Sequence, residues 1–173
     1  MNGFLLLLPF LLIRFGVLSA LNKDGIKRAA HFAPMAGNEI AAYWIYQLSN
    51  IALFGGLCFL TVIIEFSWQF YAGLILYLSG LLLCAISVIN FAYPSKDGLN
   101  YNGIYGLSRN PMYLSYFICF IGCALLTQSW ILFGIVLVFQ ISSHWIILSE
   151  ERWCVEKFGD EYKQYMRKVR RYI

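Results

Sequence analysis

Residues 112–148, MYLSYFICFIGCALLTQSWILFGIVLVFQISSHWIIL, decide the fold of this chain. They form two apolar runs, 112–127 and 130–148, which only Gln128 and Ser129 separate. A membrane-spanning helix needs about 20 mainly apolar residues, so the second run is close to that length and the first is short. The brief connection predicts that the two runs form a tight helical hairpin inside a membrane.

Three more apolar runs, 4–21, 40–64 and 70–93, precede this hairpin. The 173 residues are 60% apolar and 13% charged, whereas a soluble domain carries about 25% charged residues. The composition excludes a soluble domain, a disordered chain and a nucleic-acid-binding protein. We predict an all-α integral membrane protein with five transmembrane helices. A single membrane domain, 1–173, would then combine a three-span part, 1–93, with a functional part, 94–173.

Basic residues predict the orientation of these spans. Twelve of the 13 Lys and Arg residues lie in 22–39, 94–111 and 149–173, and the remaining one, Arg14, lies inside the first run. Because cytoplasmic loops are rich in Lys and Arg, we expect the N-terminus outside and the C-terminus in the cytoplasm. The membrane would be a bacterial or archaeal plasma membrane or the endoplasmic reticulum.

A polar, Gly-rich connection, 94–111, separates the third and fourth runs, and its candidate functional stretch is 99–113, LNYNGIYGLSRNPMY, preceded by Gly98. Its glycines allow close approach of the backbone to a ligand, and Pro111 suits the first turn of a helix. The free N–H groups of that turn can receive an anion, and Arg109 adds a cation beside it. The same residues are also compatible with a plain cytoplasmic loop before a helix.

Two adjacent carboxylates, Glu150 and Glu151, follow the last apolar run. They can bind an ammonium or sulfonium group, or they can be the solvated end of a helix. His144 shares the helical face of Glu151 because the two are seven residues apart. A histidine there is either a base or a donor to a neighbouring carbonyl.

The segment 158–171 predicts an amphipathic tail helix with an apolar stripe and a basic face. Such a helix can lie on anionic lipid at the membrane interface, or it can cover a cofactor. Arg14 is a functional candidate because charges inside a membrane are costly, although it can also bond to helix backbones.

The order of these motifs resembles the integral-membrane methyltransferases, which include the isoprenylcysteine carboxyl methyltransferases and the phospholipid N-methyltransferases. The resemblance covers roughly residues 95–173. The matching residues are Gly103, Tyr105, Arg109, Pro111 and Tyr113, then Glu150, Glu151, Phe158, Gly159, Tyr162, Tyr165 and Val169.

The resemblance implies S-adenosylmethionine as methyl donor and a lipophilic small molecule or lipid from the bilayer as acceptor. It implies an in-line displacement without a metal. The cofactor-binding residues it implies are Gly103, Tyr105, Arg109, Asn110, Pro111, Met112, Tyr113, Glu150 and Glu151. We predict His144 and Glu151 as catalytic residues.

Two positions depart from the carboxyl methyltransferases. Asn110 stands where they usually have His, and Ile146 stands where they carry an Arg that can meet an acceptor carboxylate. Both departures favour an amine or thiol acceptor over a prenylcysteine carboxylate. The alternative functions are a small membrane transporter or scaffold with a basic inner surface, and a nicotinamide-dependent membrane reductase.

Overall fold

The computed structural model of the protein describes residues 1–30, 32–95 and 98–172. These ranges contain seven helices and a 3-10 turn, Gly103–Gly106, but no β-strand. The helices are α1 (Gly3–Leu21), α2 (Lys23–Ala29), α3 (Asn38–Phe59), α4 (Trp68–Ala92), α5 (Pro111–Leu126), α6 (Trp130–Phe158) and α7 (Asp160–Lys168).

Helix α1 changes its winding along its length. It begins with a 3-10 turn, Gly3–Leu6, which Asn2 caps by accepting a hydrogen bond from Phe4 N at 2.8 Å. A π-helical segment, Leu12–Val17, interrupts the α-helical parts. Such π segments are rare and are frequently found at functional sites. Arg14 lies within this one.

The contacts between the five long helices follow a closed cycle. Helix α4 packs on α5, α5 on α6, and α6 on α3. Helix α1 contacts α4 through its π segment and α3 through its first turn. The core between them is apolar and includes Phe10, Leu53, Val88, Phe120 and Phe139.

Glycines allow α4 and α5 to approach closely. A Cβ added to Gly80 would lie 2.5 Å from Cys119 N, and one added to Gly122 would overlap Tyr77 N. Small residues at helix contacts are typical of membrane bundles, because close backbone approach replaces the missing hydrophobic driving force. This pair therefore fixes the α4–α5 contact.

Helices α1, α4 and α6 are the three in the described ranges that are long and apolar enough to cross a membrane. Helix α3 has 22 residues, but Gln47, Ser49 and Asn50 lower its hydropathy, and α5 has only 16 residues. The all-α prediction is confirmed for the described residues. The count of five spans and the hairpin geometry remain predictions.

Connections predicted to share a membrane side lie together. At one end, Gly3 N donates to Leu60 O at 2.8 Å and Ile63 N to Leu126 O at 2.9 Å. At the other end, called the loop end, α2 packs on the last residues of α4, and α7 packs on segment 98–110. There Asn22 Nδ2 donates to Ala92 O at 2.9 Å. Lys96, one of the predicted inner cations, lies outside the described residues.

Helix α6 continues to Phe158, well beyond the apolar run that ends at residue 148. Glu150 and Glu151 therefore lie within the helix and not at its end, where the helix dipole would disfavour them. Gly159, with φ of +58°, ends α6, and α7 begins at the next residue.

Candidate active site

A cavity of about 750 Å³ lies between the helical bundle and the segments at the loop end. Helices α1, α3, α5, α6 and α7 contribute to its walls, together with residues from 27–29, 32–33 and 98–105 and with Phe91 at the end of α4. Binding sites for small molecules have volumes of about 300–1,000 Å³. The cavity is therefore large enough for a small-molecule ligand.

The loop before α5 is positioned by Asn90. Its Oδ1 accepts a hydrogen bond from Ile104 N at 2.9 Å. Gly103 has φ of +59°, and a Cβ there would overlap Asn90 Oδ1, so only glycine fits this approach. The turn that follows packs Tyr105 against Phe91, and burial raises the pKa of the Tyr105 phenol, which keeps it neutral.

Glu151 accepts charge-assisted hydrogen bonds from two arginines. Arg109 Nη2 lies 3.0 Å from Oε1, and Arg171 Nη2 lies 2.8 Å from Oε2. The side chains of Arg109 and Glu151 are only 7% and 5% exposed. Ionised pairs of this kind are shorter and stronger than neutral hydrogen bonds. The cluster joins α6, the loop before α5 and the end of the chain.

The tail, residues 160–172, packs on that loop. Arg109 N donates to Arg170 O at 3.0 Å, and Tyr165 Oη donates to Tyr105 O at 2.6 Å. The apolar stripe of α7 is buried against Leu99 in a cluster that includes Tyr162, Tyr165, Met166 and Val169. These contacts favour the interpretation of the tail as a cover, and the contact of its basic face with a membrane surface remains a prediction.

Glu150, next to Glu151, has different surroundings. Its one hydrogen bond in the described part of the chain comes from Tyr113 Oη at 2.9 Å. The Tyr113 ring packs 6.2 Å from the ring of Tyr116, and Arg14 Cζ lies 5.9 Å from the centroid of Tyr116. All four side chains line the cavity. One wall thus carries a carboxylate and a guanidinium, with two tyrosine rings between them.

The opposite end of the cavity is aromatic. The ring of Phe120 lies 5.0 Å from that of Phe10, 5.9 Å from Phe139 and 6.1 Å from Phe54. All four residues line the cavity. This aromatic end can receive an apolar chain, whereas the loop end offers polar groups.

Two polar atoms of lining residues are buried without a hydrogen-bond partner in the described ranges: Asn100 Oδ1 and Arg109 Nε. Leaving such an atom unpaired costs about 1–3 kcal/mol, and folded proteins rarely do so. A polar ligand in the cavity would supply a donor for Asn100 and an acceptor for Arg109.

Most of the predicted cofactor residues line this cavity. They are Tyr105, Arg109, Asn110, Pro111, Met112, Tyr113, Glu150 and Glu151. Gly103 is not among the lining residues, and acts on the loop through its approach to Asn90. The roles assigned to these residues remain predictions.

His144 lies away from the cavity. Its Nδ1 is 2.8 Å from Tyr172 Oη, and it is not among the lining residues. Seven residues, or about 10 Å along α6, separate it from Glu151. The shared helical face is thus not enough to bring both groups to one site, and the catalytic role of His144 remains an untested prediction that the geometry does not favour.

Sequence reasoning missed two residues of the site, Arg171 and Asn100. Arg171 belongs to a basic tail in which no pattern marks the one residue that reaches Glu151. Arg14 can be interpreted either as a functional residue or as a residue that bonds to helix backbones, and both interpretations have support. Its Nη2 donates to Ala29 O at 3.1 Å, and its side chain also lines the cavity. Within the described ranges, no group of three or more His, Cys, Asp or Glu side chains is arranged to hold a metal ion.

An apolar helical bundle that encloses a cavity with a polar end and an aromatic end is typical of a membrane protein that binds a small molecule. A family model described as phospholipid methyltransferase matches residues 68–161, more than half of the chain. The chain therefore belongs to the phospholipid methyltransferase family, and it is a membrane methyltransferase, as its sequence motifs predicted. The match includes every predicted cofactor residue. Searches of curated proteins and of solved structures return no significant match.

Proposed function

We propose that the protein transfers a methyl group from S-adenosylmethionine to a lipid that bears an amine. The observation that carries the proposal is the two-ended cavity. Arg109, Asn110 and the two carboxylates of its polar end lie in the segment that the family model matches, and its aromatic end is formed by apolar helices of the bundle. One ligand from water and one from the bilayer can thus meet within a single space.

Residues at the polar end fit the cofactor. The cofactor has a carboxylate, an ammonium group and ribose hydroxyls, which match the unpaired donor of Arg109 and the unpaired acceptor of Asn100. We assign Tyr105, Arg109, Asn110, Pro111, Met112 and Tyr113 to its binding, partly through the backbone at the start of α5. When bound, it supplies a methyl group that its sulfonium already activates, so no metal is needed.

The chain has to align the acceptor and exclude water. We assign the second task to the tail, which covers the loop through Tyr165 and Arg170. An amine acceptor must lose its proton before it attacks. Because two arginines occupy Glu151, we assign the proton to the neighbouring Glu150, whose only described hydrogen bond comes from Tyr113. Glu151 then organises the site and does not touch the acceptor.

The proposal also includes the topology of the chain in the membrane. We infer a single membrane domain, 1–173, with five spans, the N-terminus outside and the loop end in the cytoplasm, where the cofactor is dissolved. The concentration of Lys and Arg at the loop end supports this orientation. No observation favours a transporter, a scaffold or a nicotinamide-dependent reductase.

The test uses purified protein in nanodiscs. Calorimetric titration with S-adenosylhomocysteine is expected to show binding, and titration with NADPH is expected to show none. Labelled S-adenosylmethionine is then supplied with dioleoylphosphatidylethanolamine or with a farnesylcysteine analogue, and the label is expected in the amine lipid. Binding of NADPH alone contradicts the proposed reaction, and label in the farnesylcysteine analogue alone contradicts the proposed acceptor.

A further inference from the structure

We propose that Arg14 binds the phosphate of the acceptor lipid and thereby selects amine lipids that carry a phosphate. This inference rests on the proposed function and deepens it. It assigns a substrate contact to a residue outside the segment, 68–161, that the family model matches.

Arg14 is a cation inside an apolar helix that is long enough to cross a membrane. A charge at that position is costly, and such residues usually serve function. Nη2 of Arg14 uses one hydrogen bond on Ala29 O, and none of the ion pairs in the described ranges includes this side chain. The π segment of α1 carries it to the cavity wall.

The charged residues that line the cavity have a net positive charge, which favours an anionic ligand. Five lining residues are cations, Arg14, Lys27, Arg28, Arg109 and Lys157, and two are carboxylates, Glu150 and Glu151. Arg109 and Arg171 already neutralise Glu151. A guanidinium binds a phosphate through two parallel hydrogen bonds, which makes arginine the suitable residue for this group.

The order of groups along α5 matches the order of groups in a phospholipid. Tyr113, Tyr116 and Phe120 follow one another along one face of this helix, starting from the loop end. Glu150 bonds to Tyr113, Arg14 lies beside Tyr116, and Phe10 packs on Phe120. An amine-bearing phospholipid presents its amine, its phosphate and its apolar chains in the same order. The lipid thus fits with its amine at Glu150 and its phosphate at Arg14.

The carboxylate of the cofactor is the other anion that the cavity would receive. The acceptor phosphate is the better match, because all residues proposed for the cofactor lie in the family segment and at the loop end. Arg14 lies on α1, four residues from Phe10 at the aromatic end. The experiment below distinguishes binding of the acceptor phosphate by Arg14 from binding of the cofactor carboxylate.

The experiment compares two acceptors in phosphatidylcholine nanodiscs: dioleoylphosphatidylethanolamine, and oleylamine, which has an amine but no phosphate. Arg14→Gln is expected to raise KM for the phospholipid by about tenfold or more, the effect of losing a charge-assisted contact. We expect KM for oleylamine and the affinity for S-adenosylhomocysteine to stay within about twofold of wild type. Arg14→Lys should be intermediate, since it keeps the charge and loses the paired geometry. Lys23→Gln removes an exposed cation at the start of α2, outside the cavity lining, and should behave as wild type on both acceptors.

Equal losses on both acceptors, no loss on either, or weaker binding of S-adenosylhomocysteine would each overturn the role of Arg14. If Arg14→Gln does not fold, Arg14→Lys supplies the same comparison. If the wild type methylates neither acceptor, this result contradicts the proposed reaction without deciding the role of Arg14. Native mass spectrometry of retained dioleoylphosphatidylethanolamine still tests Arg14, and equal retention by wild type and Arg14→Gln overturns the inference.

Discussion

At the scale of single residues, Glu150 and Glu151 occupy consecutive positions of α6 and have opposite environments. One step along a helix turns the side chain by about 100°. This turn directs Glu151 to Arg109 and Arg171, and Glu150 to Tyr113. A buried carboxylate between two guanidinium groups fixes structure, whereas a carboxylate with one phenol donor can still receive a proton.

Replacing Glu151 by Gln should destabilise the protein and weaken cofactor binding. The change leaves two arginines without their counter-charge, and breaking a buried ion pair costs about 3–5 kcal/mol. Arg109→Ala should lower the affinity for S-adenosylhomocysteine ten- to a hundred-fold, or about 1.5–3 kcal/mol. Calorimetry and thermal unfolding measure both effects.

The control is Lys163→Gln, which removes an exposed ion pair with Asp160. Surface pairs contribute little to stability, so neither measurement should change. Unaltered affinity in folded Arg109→Ala and Glu151→Gln protein would refute the assignment of the cluster to the cofactor site.

Glu150→Gln and His144→Ala separate the two candidate bases. Primary amines are mostly protonated at neutral pH, and the free amine becomes more abundant near pH 9. Loss of the true base should therefore reduce turnover more at pH 6.5 than at pH 9. We expect this pH dependence for Glu150→Gln. For His144→Ala, we expect any loss of turnover to be the same at pH 6.5 and at pH 9. The reverse pattern would restore His144 as the base.

At the scale of helices, the close contact of α4 and α5 is a sharp test of the packing. Gly122→Ala places a methyl group against backbone atoms of Tyr77 and Gly73, which cannot move without shifting a helix. Overpacking of this kind costs about 1–3 kcal/mol. Gly134→Ala on α6 has no atom within 4 Å of the added group.

We therefore expect a lower thermal midpoint in detergent micelles for Gly122→Ala than for Gly134→Ala, with the latter near wild type. Equal midpoints would mean that α4 and α5 do not pack as described.

Hydropathy predicts the long apolar helices. It misses the polar helical segments, which contacts with other parts of the chain stabilise. The apolar runs locate α1, α4 and α5 to within two residues at each end, and they locate the start of α6, whereas α3 ends five residues before the end of its run. Helix α2 is short and polar, and it depends on the Asn22 cap and on the bond from Asn22 to Ala92 O. The last turns of α6 are missed for a related reason: they are charged, and the loop and the tail cover them, so composition gives no sign that they remain helical.

At the scale of the whole molecule, the orientation can be tested by labelling. In a Cys58→Ser background, Glu65→Cys lies between α3 and α4, at the end opposite the loop, and Lys163→Cys lies in α7. A membrane-impermeant maleimide should label Glu65→Cys in intact cells and Lys163→Cys only after permeabilisation. The opposite result would invert the proposed orientation.

The residues of the loop before α5 could be predicted as a site because their types and spacing are local. Arg171 reaches Glu151 across 20 positions of sequence, and Arg14 reaches the wall of the cavity from another helix. Such contacts depend on how the helices pack, and no single stretch of sequence contains that information.

Under the proposed function, the aromatic end of the cavity also determines how the reaction rate depends on the concentration of the acceptor. A lipid that enters through membrane helices arrives by diffusion in two dimensions, so its relevant concentration is its mole fraction in the bilayer. Under the proposed function, the cofactor comes from bulk water, and its effect follows ordinary molarity. Diluting the acceptor with inert lipid therefore slows the reaction even when the amount of acceptor per volume is constant, while the response to the cofactor is unchanged.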